Sequence, residues 1–375
     1  MIFFNKHKYI TKRNLLFIDR SIPQFDKDAG SKSIHHWLRL FKYLGFDVTF
    51  IGDDFLTLEP YTTILSEMGI NILIGNYYAE NFNNWLKNNG HTIDFVILSR
   101  PQIAEKYIDV IKEYTNAKIF YFGIDLHYLR IERESLVANK NEYLLIANKL
   151  KDIEYAIMKK VDIVYYYSSK EISIINSFAP DITCKVIPLF IFPKDKVIKF
   201  DTTRDNLLFV GNFEHSPNVD GFNWFANMVL PLVKKTIPEI LLYVIGSNFP
   251  FGIKLLESDS IKILGHVDEN TLNEYYKKCR ICVVSLRYGA GVKGKILEAL
   301  YYQIPIITTT IGVEGLPGIE KSLVIEDDHI IFSEKLISMY NNNKILKKLV
   351  KNGHQYIIKN FTSHRAINII KRDFF

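Results

Sequence analysis

Ser285-Leu286-Arg287-Tyr288-Gly289-Ala290-Gly291-Val292-Lys293-Gly294-Lys295-Ile296-Leu297-Glu298-Ala299-Leu300 follows an apolar, β-rich run and passes directly into a segment of helical period. Glycines at 289, 291 and 294 let the backbone approach an anion closely. The start of the following helix adds unpaired N–H groups and the positive end of a dipole. Lys293 and Lys295 place two full charges at that same end, where each opposes the dipole by roughly 0.3–1 kcal/mol. A bound polyphosphate resolves this conflict; the plain alternative is a solvated pair of lysines in a flexible turn.

The same strand-then-helix alternation runs along almost the whole chain. The apolar runs are Leu15 to Ile18, Val48 to Ile51, Ile70 to Ile74, Phe95 to Leu98, Ile119 to Phe122 and Ile163 to Tyr167. A second set is Leu207 to Val210, Leu242 to Ile245, Ile261 to Leu264, Ile281 to Ser285, Ile304 to Thr308 and Leu323 to Ile325. Near-continuous apolar strands with helical crossovers describe parallel sheets covered on both faces. Two sets of about six strands predict an α/β protein of two Rossmann-like, doubly wound domains facing across a cleft. Ligands then lie beyond the carboxyl ends of the strands. The seam is expected between Pro188 and Arg204, giving an N-terminal domain of residues 1–195 and a C-terminal domain of residues 196–355. Residues 356–375 form a helical tail returning to the first domain.

Composition narrows the rest. Of 375 residues, 48% are hydrophobic and 23% charged, which excludes a disordered chain. Lys+Arg 47 against Asp+Glu 41 leaves +6, spread along the chain, which argues against a nucleic-acid partner. Cys184, Cys279 and Cys282 are too few for a disulfide framework. The C-x-x-C pair at 279 and 282 lacks the second pair that a zinc site needs, so Cys282 reads as a small core residue. No metal site is expected. Met1 to Asn14 lacks an apolar h-region and no run of about 18 apolar residues occurs, so retention in the cytoplasm is expected.

The loop formally matches two further patterns. Gly289-x-Gly291-x-x-Gly294 fits the dinucleotide fingerprint, with Glu314 about where a ribose-binding acid follows, but it stands late in the chain. Gly289-x-x-x-x-Gly294-Lys295 resembles a P-loop, yet Ile296 stands where a hydroxyl must hold magnesium. The physics common to both is a phosphate cradle at a helix N-terminus.

The loop, followed by Pro305-Ile-Ile-Thr-Thr-Thr and Gly312-Val-Glu-Gly-Leu316, resembles the donor-binding signature of GT-B glycosyltransferases of family 4. Phe209-Val-Gly-Asn212, Pro217-Asn-Val-Asp-Gly221, Gly265-His-Val267, Asp28-Ala-Gly-Ser31 and Asp125-Leu-His-Tyr-Leu-Arg-Ile-Glu-Arg-Glu134 look like that family as well. The resemblance covers nearly the whole chain. It implies the GT-B fold, a nucleotide-sugar donor, retention of anomeric configuration, and no cofactor or metal. Glu298 stands where the second glutamate of an E-x7-E motif holds the donor ribose. The first glutamate is replaced by Ala290, so the backbone N–H groups of Ala290 and Gly291 are the substitutes available. Gly289, Val292, Gly294, Gly211 and Asn212 complete the donor side. The family's Arg and Lys after the first strand of this domain are not evident, which leaves the phosphate charge to Lys293 and Lys295.

His127, beside Asp125 and Arg130, stands where the family faces the donor sugar with a histidine. Gly30 and Ser31 lie where the backbone can meet a phosphate or acceptor. Arg287 reaches either a phosphate or a neighbouring carboxylate; His215 and Ser216 are weaker candidates. The acceptor implied is a glycan or a lipid-linked one, in cell-surface polysaccharide biosynthesis. Lys32, Arg39 and Lys42 lie beside Trp37 and Phe41 around the helix from Ile34 to Leu44. They fit peripheral contact with the inner face of a membrane, or a core-facing helix with a basic outer face. A nucleotide-sugar epimerase, a nicotinamide-dependent dehydrogenase and a catalytically silent nucleotide- or glycan-binding subunit are the competing readings. Donor base, donor sugar, linkage and oligomeric state are not readable.

Overall fold

The computed structural model describes residues 13–139, 141–194 and 200–375. The expected domain boundary at 195/196, and all but the last two residues of the Met1–Asn14 stretch, lie outside the described residues. The chain forms two wholly parallel sheets. The first contains β1 (Asn14–Asp19), β2 (Asp47–Gly52), β3 (Asn71–Ile72), β4 (Phe95–Ser99), β5 (Lys118–Phe122), β6 (Ile163–Tyr166) and β7 (Cys184–Val186), in the order β3-β2-β1-β4-β5-β6-β7. The second contains β8 (Asp205–Asn212), β9 (Leu242–Ser247), β10 (Ile261–Gly265), β11 (Cys279–Val284), β12 (Ile306–Thr308) and β13 (Val324–Ile325), in the order β10-β9-β8-β11-β12-β13. Strand order reverses beside β1 in one sheet and beside β8 in the other, so each domain has a crevice at that switch point.

The period of two explains why the strands read as unbroken apolar runs. Leu15 and Phe17 of β1 pack into one hydrophobic cluster, while Leu16 and Ile18 pack into another on the opposite face. Tyr165, Tyr166 and Tyr167 are buried in the same way, as strand packing requires. The sequence reading missed β7, whose three residues are half-buried or exposed and carry no apolar run.

The helix Ala29–Tyr43 starts at Asp28, whose carboxylate accepts from the Ser31 backbone N–H. Ile34, Trp37, Leu38 and Phe41 are fully buried on its inner face. Trp37 and Phe41 are therefore spent in the core, as the core-facing reading of this helix has it. Among the described residues no helix is long and apolar enough to cross a membrane.

The expected tail boundary at 355/356 falls inside the helix Asn343–Asn360. The chain crosses back at Phe361, whose carbonyl accepts from the Phe192 N–H, next to a bridge between Phe192 and Thr362. The helix Ser363–Phe374 then seats on the first sheet. Phe374 stacks on Phe120 with ring centres 4.1 Å apart, and Asp373 accepts from the Tyr165 hydroxyl and Lys185.

Candidate active site

A cavity of about 960 Å³ opens between the two domains, lined by loops that follow strands of both sheets. Among the residues singled out from sequence, Gly30 and His127 line it from the first domain. Gly211, Asn212, Gly289, Ala290, Gly291, Val292, Lys293, Gly294, Lys295 and Glu298 line it from the second, and His215 also reaches it. Arg287 does not. It makes a two-pronged pair with Asp220 on the helix Ser216–Trp224, so the carboxylate alternative is the observed one and Arg287 is removed from the site.

The glycine loop leaves β11 and enters the helix Gly294–Tyr301. Gly289 has φ of 139° and Gly291 has φ of 70°, values that only glycine adopts without strain. The Lys293 ammonium turns back onto its own loop, donating to the carbonyls of Ala290 at 2.8 Å and Gly291 at 2.6 Å. Lys295 donates to Asn218 Oδ1 at 2.7 Å and lies 5.2 Å from the centre of the Phe209 ring. Asn218 in turn donates to the Asn212 carbonyl at 2.6 Å. A side chain at Gly211 would crowd this arrangement, since a Cβ there would fall 3.1 Å from Lys295 Nζ. Burial pulls both lysines from their ordinary 10.5 down to about 8. In Lys293 the nearby carboxylates of Glu314, Glu171 and Asp125 partly offset that burial.

Glu298 lies one turn along the same helix and accepts from Lys32 Nζ at 2.5 Å across the cleft. Burial opposes charge on Lys32, but Glu298 outweighs it and the lysine pKa rises. Sequence reading placed Lys32 on an outer face. Its position in the first turn after Asp28, just beyond the carboxyl end of β1, was the available signal that it faces the cleft.

His127 opens the helix His127–Ala138, with Nε2 3.3 Å from Asp125 Oδ1. Asp125 also accepts from Arg130 at 2.7 Å. Burial alone would raise the Asp125 pKa; Arg130 and His127 together hold it well below the usual carboxylate range. Two buried carboxylates fix the start of this helix from elsewhere in the fold. Glu171 accepts from the Leu126 N–H at 2.7 Å, and Glu154 accepts from the N–H groups of His127 and Tyr128, both at 3.1 Å. Burial raises Glu154 to about 7 and Glu171 well above its ordinary value. Neither residue carried a local sequence signal. Glu314, the acid of the dinucleotide reading, is occupied by Arg133 instead of facing a free ribose position.

Residues 204–342 match the family described as glycosyl transferases group 1. A Klebsiella pneumoniae protein described as an uncharacterized 44.6 kDa protein in cps region is 28% identical over 186 residues, 48% of each chain. The match thus spans about half the length of that curated relative. Among solved structures, sucrose-phosphate synthase from Thermosynechococcus elongatus aligns with a TM-score of 0.73 at 14% identity, over 97% of this chain and 99% of that one. Anabaena HepE in complex with UDP and glucose aligns at 0.66 and 12%, over 96% and 98%. A glycosyltransferase from Rickettsia africae aligns at 0.68 and 15%, over 97% and 98%. The chain has the GT-B fold, and residues 204–342 of its second domain are similar to the glycosyl transferases group 1 family.

Proposed function

We propose that this protein is a retaining glycosyltransferase that moves a sugar from a nucleotide-sugar donor to a glycan or lipid-linked acceptor in cell-surface polysaccharide synthesis. The observation that carries this reading is Lys295, a buried cation beside Gly211 at the start of a helix that follows a glycine loop. Glu298, on the next turn, is placed to accept the two vicinal hydroxyls of a ribose once Lys32 yields it. The UDP and glucose held by HepE, and the cps-region setting of the Klebsiella relative, support the donor class and the pathway.

Glycosyl transfer passes through an oxocarbenium-like state as the nucleoside diphosphate departs. The leaving group then needs its growing negative charge stabilised. Lys293, Lys295 and the N–H groups at the start of the helix Gly294–Tyr301 supply that stabilisation from buried positions on the cleft wall. His127, with Asp125 fixing its ring, faces the sugar from the other domain. With this charge supplied by the lysines, no metal is required. The deciding experiment incubates the protein with a panel of UDP-, GDP- and TDP-sugars and a polysaccharide-precursor extract, with and without EDTA. Product formation indifferent to EDTA is expected; hydride transfer with NAD and no glycosyl product would overturn the assignment. Ala290 in place of a carboxylate favours a silent nucleotide-binding subunit as the second reading, which predicts binding without transfer.

Glu298→Ala is expected to weaken nucleoside diphosphate binding about tenfold, the usual cost of losing hydrogen bonds to a charged group. Unchanged affinity by calorimetry would remove Glu298 from the ribose site. The lysines add a pH dependence. Their folded-state pKa near 8 lies below the unfolded 10.5, so between those values the unfolded chain holds protons that the folded one has lost. Stability from these groups therefore rises as pH climbs from about 8 toward 10.5. Diphosphate binding runs the other way, since it favours the charged lysines: affinity falls above pH 8 and binding takes up protons. Calorimetry at pH 8.5 in two buffers of different ionisation enthalpy reads that uptake; zero uptake would rule out these lysines as the phosphate charge.

A further inference from the structure

Besides the pairs that Lys32 makes with Glu298 and Glu269, an ion pair of Arg133 crosses between the domains and has no part in the proposed chemistry. Arg133 lies on the helix His127–Ala138 of the first domain. Its Nη1 donates to Glu314 Oε2 at 2.6 Å and its Nη2 to Glu314 Oε1 at 3.0 Å. Glu314 belongs to the turn that follows β12 of the second domain. The same Nη1 also donates to the carbonyl oxygen of Gly289 at 2.6 Å. One guanidinium therefore grips both a carboxylate and the glycine loop of the opposite domain. The side chains are mostly buried, at 21% exposure for Arg133 and 10% for Glu314.

The Gly289 contact is the informative one. A trans peptide is planar, so fixing the Gly289 carbonyl also fixes the Ala290 N–H, which points to the opposite side of that peptide. Ala290 lines the cleft and is the position where a donor-binding carboxylate is missing. The Gly289–Ala290 peptide turns about the Gly289 Cα–C bond, where no side chain restrains it; Arg133 holds its carbonyl, while Lys293 holds the carbonyls of Ala290 and Gly291 that follow. Arg133 is itself set at a fixed distance from the sugar-facing end of its helix. It lies six residues after His127, about 9 Å along the axis. That end is held by the buried carboxylates of Glu154 and Glu171. Glu314 also faces Lys293, so Arg133 competes with that lysine for its charge.

We propose that Arg133 is a positioning residue that makes the donor-binding form of the glycine loop depend on contact between the two domains. With the first domain's helix seated, the Gly289–Ala290 peptide is fixed and its N–H is held for the donor; with the domains apart, the hold on the Gly289 carbonyl is lost and only the one Lys293 keeps on the next carbonyls remains. This rests on the donor site assigned above.

The test measures binding of UDP, GDP, TDP and ADP to the full-length protein by calorimetry, together with melting temperature. The variants are Arg133→Met, Arg133→Lys, Glu314→Gln and the double variant Arg133→Met/Glu314→Gln. For the nucleotide the wild type binds best, Arg133→Met is expected to lose about tenfold in affinity. Arg133→Lys keeps the charge but not the fork, so it should lose affinity as well. Glu314→Gln should lose less, because Arg133 still holds Gly289, and the double variant should match Arg133→Met alone. A merely structural ion pair gives the opposite pattern, with melting temperatures falling alike and affinities unchanged. Equal affinity of the wild type and both Arg133 variants overturns the proposal. A wild type that binds none of the four nucleotides overturns the donor-site reading first, which is a different result.

Discussion

Lys295→Ala is expected to lower kcat about a hundred- to a thousand-fold, the range seen when a preorganised charge-stabilising group is removed from an active site. The ammonium is held by Asn218, flanked by the Phe209 ring and deprived of water, which brings its pKa down to about 8. Such a cation is poorly compensated until an anion arrives, and most poorly until the full negative charge of a departing diphosphate develops. Its contribution is therefore larger in the transition state than in the bound ground state, and the loss should appear mainly in kcat. The effect on folding should differ in kind. A lysine whose pKa is lowered by burial costs the folded state free energy whenever it is charged, so removing it relieves that cost and sacrifices one hydrogen bond to Asn218. The melting temperature is expected to stay near the wild-type value. Initial-rate kinetics with the active donor, alongside thermal melting, separates the two effects. Wild-type turnover in Lys295→Ala would show that the charge lies elsewhere, with Lys293 as the remaining candidate.

The parts of this site legible in the sequence were those encoded locally. Three glycines, two lysines and a glutamate within ten residues state a loop and a helix start together, and the cleft indeed brings those residues to one place. The strands were legible because both faces of each sheet are covered, so consecutive residues such as Leu15 to Ile18 of β1 or Ile281 to Val284 of β11 are all apolar. What escaped is what the fold brings together from afar. Glu171 reaches Leu126 across 45 positions, Arg133 reaches Glu314 across 181, and Lys32 reaches Glu298 across 266. No spacing rule connects such pairs, since helix-face pairings extend only three or four residues. Arg287 failed for the converse reason. Its place in the loop suggested a phosphate, but Asp220, 67 positions earlier, offers it a fork-to-fork partner outside the cavity.

Gly246→Ala is expected to destabilise the second domain by about 3 kcal/mol or more, near the upper end of what overpacking costs. Gly246 pairs in register with Gly211 where β9 meets β8. A Cβ at position 246 would fall 1.7 Å from the Gly211 carbonyl oxygen, far inside contact distance, and the obstacle is backbone rather than a side chain that can turn away. Relief by moving β8 as a whole is opposed, because β11 pairs with its other edge from Asp205 to Leu208, three residues before Gly211. For a domain of this size the loss corresponds to a fall in melting temperature of about 10 °C. Gly252→Ala is the matched control. It lies exposed on the short helix Phe251–Lys254, and a Cβ there would meet nothing within 4 Å. That change should leave the melting temperature unaltered or raise it slightly, by the roughly 1 kcal/mol that alanine gains over glycine in a helix. The consequence for function follows from what lies beside Gly211. Pushing the end of β8 displaces the residue against which Lys295 Nζ packs, so whatever Gly246→Ala protein folds should bind nucleoside diphosphate more weakly, whereas Gly252→Ala should bind as the wild type does. Equal melting temperatures for the two variants would mean that the β8–β9 edge yields more readily than its two-sided pairing allows.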